Sequence, residues 1–157
     1  MCPTATTAST ALGLRAADFS LTFPPDPLWI KACRDLVRTS VHTVRRAASA
    51  TLRELAETAA LLTSEAATNA VTATTLAGCV QPITLYGEWL AHGRLRIHVQ
   101  DGAPGVPHVV APADEAEHGR GLQLISALST RYGFCADGPG PGKSVWFQLE
   151  HPKESAA

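Results

Sequence analysis

Three small groups of residues have the types and spacing to do chemistry. The first is Glu65 and Asn69, four apart within an alanine-rich stretch of helical period. At that spacing both side chains share one face of a helix, one turn apart. Asparagine costs a few tenths of a kcal/mol or more against alanine in a helix interior, a cost this stretch could have avoided. Its amide oxygen is a hard, neutral ligand suited to Mg²⁺, with water and phosphate oxygens completing the octahedron. Glu65 beside it would act as a general base toward a hydroxyl or water. The plain alternative is a solvated glutamate next to a capping-type asparagine, and the pair alone does not decide between them.

The second group is Asp101-Gly-Ala-Pro-Gly105. In the strand pattern Arg94–Asp101, Leu95, Ile97 and Val99 face one way and Arg94, Arg96 and His98 the other, so Asp101 falls on the core side where the strand ends. A carboxylate placed there needs a donor, which an adenine amino group would supply, and the glycines would let a flat base approach the backbone. An Asp-Gly turn closed on its own backbone is the alternative. The third group, Gly119-Arg120-Gly121, stands where a long loop meets a helix N-terminus. Free N–H groups and the positive dipole end favour phosphate there, and Arg120 adds a cation; a glycine-rich helix entry is the bland reading. Gly138-Pro-Gly-Pro-Gly-Lys-Ser144 imitates a P-loop, but Asp137 occupies the first glycine position and a strand pattern follows instead of a helix. A turn that sets Lys143 and Ser144 near a nucleotide fits better.

The elements that must position these groups read as follows. Asp18 to Phe23 alternate as a short strand, ended by Pro24-Pro25. Asp26-Pro27 starts a helix to about Arg46, with Trp29, Ile30, Cys33, Leu36, Val37, Val41 and Val44 at three- and four-residue spacing. Lys31, Arg34, Arg38, Arg45 and Arg46 lie mostly elsewhere on it, a basic face that is solvated or docks a partner. A second helix runs from about Thr51 to Leu76 and stops at Gly78. Strands Pro82–Leu90 and Arg94–Asp101 form a hairpin around Ala91-His92-Gly93. Gly102 to His118 lacks a period and reads as a long loop; loops of that length in compact domains are commonly functional. A short helix, Gly119 to Thr130, and strands Tyr132–Ala136 and Lys143–Glu150 follow. One domain is expected over 17–150, with a flexible tail at 1–16 and a polar one at 151–157.

Composition agrees. A chain of 157 residues with 45% hydrophobic residues suits a single domain. A net charge of -1 gives no general reason to expect nucleic acid or an anionic membrane as partner. Cys2, Cys33, Cys79 and Cys135 have no zinc-site spacing and read as reduced, mostly buried thiols. No secretory signal or membrane span is legible, so a cytoplasmic location is expected.

In this order, Ser64-Glu65-Ala-Ala-Thr68-Asn69-Ala70-Val71, Asp101-Gly-Ala-Pro-Gly105, His118-Gly-Arg-Gly-Leu122 and Gly142-Lys-Ser-Val-Trp-Phe147 resemble the motif boxes of the GHKL ATPase superfamily. The resemblance extends over nearly all of Phe19 to Glu150 and looks closest to anti-sigma-factor serine kinases and related stand-alone actinobacterial regulators. It implies a Bergerat-type α+β sandwich, a mixed, mostly antiparallel sheet with helices on one face, binding ATP and Mg²⁺. Asn69 would then ligate Mg²⁺, Asp101 would bind the adenine amino group and Gly105 would shape the adenine pocket. Gly119, Arg120 and Gly121 would approach the phosphates, with Leu122 counted among the nucleotide-binding positions. Ser144 would supply a hydroxyl near the adenine, and Glu65 would accept the proton of a substrate serine as the γ-phosphate moves. Two departures stand out: Thr72-Ala73 where relatives commonly carry Arg-His, and His118 where a glycine is frequent.

The implied function is a serine/threonine kinase of the anti-sigma type, whose partners would be a sigma factor or a STAS-domain antagonist; a homodimer is compatible with it, and no direct nucleic acid or membrane contact is expected. The alternative is a non-catalytic module that docks a partner in an ATP-dependent way. The catalytic piece of a sensor histidine kinase fits less well, since His42 does not lie on a preceding dimerisation helix pair.

Overall fold

The computed structural model describes residues 18–44, 49–105, 120–136 and 142–151. Its elements are β1 (Phe19–Phe23), a 3₁₀ turn (Pro27–Trp29), α1 (Ile30–Val44), α2 (Ala50–Leu76), β2 (Ile83–Leu90), β3 (Arg94–Asp101), α3 (Arg120–Leu128), β4 (Arg131–Cys135) and β5 (Lys143–Glu150). Local chemistry sets their ends. The Asp26 carboxylate accepts the Leu28 N–H at 2.9 Å, with Pro27 as the first residue of the 3₁₀ turn that leads into α1. Ser49 caps α2 by accepting the Leu52 N–H at 3.1 Å. After α2, Gly78 takes φ +63, a left-handed conformation that glycine adopts without strain. The hairpin link turns through His92 at φ 64 and Gly93 at φ 75. The expected tail at 1–16 lies outside the described residues; of 151–157 only His151 is described, its N–H bonded to the Gly93 carbonyl at 3.2 Å.

The five strands form one sheet in the order β1-β2-β3-β5-β4, and every pairing among them is antiparallel. This is the α+β sandwich expected, at the antiparallel end of the mixed sheet. The helices cover one face, with α2 central: it packs on α1, α3, β2, β3 and β5. Phe23, Leu85, Leu95, Ile97, Val99, Val145 and Phe147 meet Val37, Val41, Leu52, Leu62, Ala66 and Ile125 in a single core. Small residues on the buried stripe of α2 let it lie close to its neighbours, while Phe147 and Phe23 fill the remaining depth. Arg38 also ties α1 to α2 through a two-pronged contact with Glu57, Nε and Nη2 each 2.9 Å from a carboxylate oxygen. The basic face of α1 is thus partly neutralised, and Lys31 pairs with Asp35.

The opposite face of the sheet carries a row of polar and aromatic groups. His98 stacks on Tyr86 with ring centroids 4.5 Å apart, and Arg96 lies 5.5 Å over the Trp146 ring while its guanidinium donates to Gln148 Oε1 at 3.1 Å. Gly133 leaves the space for that indole; a Cβ there would lie 2.8 Å from its ring atoms.

The cysteines correct the sequence expectation. Cys33 is buried and free, and burial raises its thiol pKa to about 11, which keeps it protonated and unreactive. Cys79 is free but only half-buried. Cys135 is disulfide-bonded. Spacing along a chain does not reveal which thiols meet in space, so a uniformly reduced set was the wrong inference. Among the described residues, no helix is long and apolar enough to cross a membrane.

Candidate nucleotide site

The long helix α2 brings Glu65 and Asn69 to its junction with α3. Both are half-buried, whereas their neighbours Ala66 and Ala70 are in the core. The first turn of α3 comes down on them at Gly121. A Cβ built on Gly121 would sit 2.8 Å from Glu65 Oε2, 3.1 Å from Glu65 Cβ and 3.2 Å from Asn69 Nδ2. A side chain at Gly121 would displace the Glu65 carboxylate and press on the Asn69 amide, so glycine here eases the approach that sets the N-terminal N–H groups of α3 beside an amide and a carboxylate. Neither the Glu65 carboxylate nor the Asn69 amide has a hydrogen-bond or ion-pair partner among the described residues. Side chains held this closely by packing, yet unpaired, are available to a ligand.

Asp101 stands where its strand parity placed it, on the helix-facing side of β3 at its last position, and it is 3% exposed. Its Oδ1 accepts two hydrogen bonds, from the Ala103 N–H at 2.8 Å and from the Lys143 ammonium at 2.9 Å. Both predicted local features are therefore present at once: an Asp that closes its own turn and a carboxylate in a buried setting. Oδ2 takes no hydrogen bond from the described residues. The backbone on either side is pressed together. A Cβ on Gly142, at φ +123, would overlap the Asp101 carbonyl, and one on Gly102 would meet the Gln81 side chain and lie 3.0 Å from Cys79 Sγ. The end of β3, the start of β5 and the chain leaving α2 thus converge at one end of the molecule.

The remaining predicted positions fall as follows. Gly105 adopts φ +97 and is exposed, so its conformation depends on having no side chain. Arg120 is exposed at the start of α3. Leu122 belongs to the apolar core with Ile125, where it seats α3. Gly119 and His118 lie outside the described residues. Ser144 pairs with Gln100 and Cys135 across the sheet and shares their face, away from the helices; its Oγ is buried with no partner. Lys143, paired with Asp101 in the register, is the β5 residue whose side chain meets the site. The alternation Lys143, Val145, Phe147, Leu149 carried that signal in the sequence.

One end of the sheet therefore offers a buried, anchored carboxylate next to closely approaching backbone, and the α2–α3 junction offers an amide, a carboxylate and a helix N-terminus. A family model describing a histidine kinase-like ATPase domain matches residues 32–149, more than half of the chain. The protein belongs to the histidine kinase-like ATPase domain family. No curated protein matches it. Adenine nucleotide binding is the property this family assignment brings to the ATPase domain, and the residues fit it. Among the described residues, no group of three or more His, Cys, Asp or Glu is placed to hold a metal ion. Any Mg²⁺ at Asn69 would thus be held chiefly by phosphate and water oxygens, as that ion ordinarily is beside a nucleotide. Away from this region, Arg34, Arg38, Glu57, Thr58, Leu61 and Ser64 line a groove of about 340 Å³ between α1 and α2.

Proposed function

We propose that this ATPase domain is a serine/threonine kinase of the anti-sigma type, regulating transcription through a sigma factor or a STAS-domain antagonist as protein partner. The supporting observation is the packing of Gly121 onto Glu65 and Asn69, which sets an unpaired base next to an unpaired cation ligand at a helix N-terminus. In this reading Asn69 holds Mg²⁺ through its amide oxygen, and the ion would neutralise the phosphate charge. The α3 N-terminus receives phosphate oxygens, Asp101 Oδ2 takes the adenine amino group, and Glu65 accepts the proton of the substrate hydroxyl as its oxygen bonds to the γ-phosphorus and ADP departs.

Glu65→Gln keeps the size and polarity of the side chain and removes the base. Incubated with γ-labelled ATP, Mg²⁺ and a STAS-domain partner, the variant is expected to lose phosphate transfer by roughly 100-fold or more while its ATP affinity stays within about twofold. Undiminished transfer would dismiss Glu65 as the base. A second reading, a module that binds ATP and docks its partner without transferring phosphate, draws support from Thr72-Ala73: Thr72 is exposed just beyond Asn69 and adds no charge where a cation is common. The same assay separates the two, because phosphoserine on the partner is incompatible with the second.

A further inference from the structure

We infer that Lys143 is a positioning residue that makes the nucleotide site selective for a base carrying an amino group, by pinning one oxygen of the Asp101 carboxylate so that the other is left to accept. The inference rests on the nucleotide-binding reading above and gives Lys143, which the sequence only sets near a nucleotide, a specific role in it. Lys143 is 8% exposed and Asp101 3%, and the ammonium lies 2.9 Å from Oδ1. The Ala103 N–H occupies the same oxygen at 2.8 Å, so both fixed donors converge on Oδ1 and leave Oδ2 as the open acceptor. The approach of β5 that delivers Lys143 depends on Gly142, whose missing side chain lets the strand start against the Asp101 carbonyl.

The carboxylate of this ion pair accepts hydrogen bonds and has none to donate. With Oδ1 taken by two donors, Oδ2 would accept from the 6-amino group of adenine and face lone pair to lone pair against the 6-keto oxygen of hypoxanthine. Without the Lys143 ammonium, Oδ1 keeps one donor and the carboxylate can turn, so the acceptor is no longer fixed against the base. Discrimination between the two bases therefore resides in Lys143 as much as in Asp101.

The test compares ATP and inosine triphosphate binding to the full chain by titration calorimetry. Wild type is expected to favour ATP by about 30-fold or more, the ratio that leaving one buried polar group unmatched would produce. Lys143→Met is expected to lower the ratio to about fivefold or less, and Lys143→Arg, which retains the cation, to keep most of it. Lys143→Gln preserves a donor for Oδ1 and keeps the comparison readable where the methionine variant melts early; it is expected to keep most of the ratio. A wild-type ratio retained in folded Lys143→Met, or lost in folded Lys143→Gln and Lys143→Arg alike, would overturn the inference while leaving nucleotide binding intact. Failure of wild type to bind ATP would overturn the nucleotide reading, and this inference with it.

Discussion

Asp101→Leu is expected to melt roughly 10 °C below the parent and to lose ATP binding, because removing one partner of a buried ion pair leaves the other charged and unsolvated, at about 3–5 kcal/mol. Here the stranded group is the Lys143 ammonium, 8% exposed, whose described partner is Asp101 Oδ1. The Ala103 N–H loses its acceptor as well. The double variant Asp101→Leu/Lys143→Met separates stability from function. With both charges gone and apolar side chains of similar length in their place, most of the lost stability is expected to return, short of about 1 kcal/mol for the unpaired N–H. ATP binding is not expected to return, since the acceptor proposed for the adenine amino group is gone. Thermal melts followed by circular dichroism, paired with ATP titrations, read both effects. A single variant that melts with the parent would show that the pair is not buried in solution as it is here.

The second large effect concerns pH. Burial, and secondarily the positive charge of Arg96, lower the His98 pKa from its ordinary 6.5 to about 4. His98 is 2% exposed, stacked on Tyr86, and its Nε2 has no hydrogen-bond partner. Glu88 Oε1, 3.9 Å from Nε2, is beyond hydrogen-bond reach. The unfolded chain therefore takes up a proton near pH 6.5 that the folded chain refuses until about pH 4. The neutral ring's contribution is fully present above pH 6.5 and is lost as pH falls through that window, a change of about 3 kcal/mol. His98→Phe preserves the stack and cannot titrate, so its stability between pH 6.5 and 4 is expected to be nearly flat, where the parent declines. Urea unfolding midpoints at several pH values check this. Asp35 and Glu57 are also held below the usual carboxylate range, by hydrogen bonds from Lys31 and Arg38 respectively, but they lose that contribution only at lower pH. A parent with constant stability across the window would place His98 in contact with water.

Which features were legible in the sequence follows from the physics of each. Helices α1 and α2 declared themselves through apolar residues at three and four, and Asp26-Pro27 marked the turn that leads into α1, whereas the Ser49 cap of α2 emerged only from the structure. Strand parity put Asp101 on the buried side correctly, because alternation is a property of the strand alone. Applied to β5, the same alternation puts Lys143 on the helix-facing side with Val145 and Ser144 on the opposite face. The contact between Gly121 and the Glu65–Asn69 pair was beyond pattern reading, since it depends on how close α3 approaches α2. The burial of His98 was equally hidden. Its parity pointed it away from the helices, and only cross-strand pairing with Tyr86 and Trp146 encloses it.

The central proposal is that Asn69 and Asp101 serve the same bound nucleotide, ATP with Mg²⁺. Calorimetric titration of ATP into wild type and Asn69→Ala, each with Mg²⁺ and with a chelator, tests it most directly. Wild type is expected to bind ATP at least about tenfold more tightly when Mg²⁺ is present, as one additional metal–ligand contact of modest strength would give. Asn69→Ala is expected to melt at the same temperature or slightly higher, alanine being the better helix former, and to lose that Mg²⁺ dependence. Absence of ATP binding in wild type, or an equal gain from Mg²⁺ in a folded Asn69→Ala, would contradict the assignment.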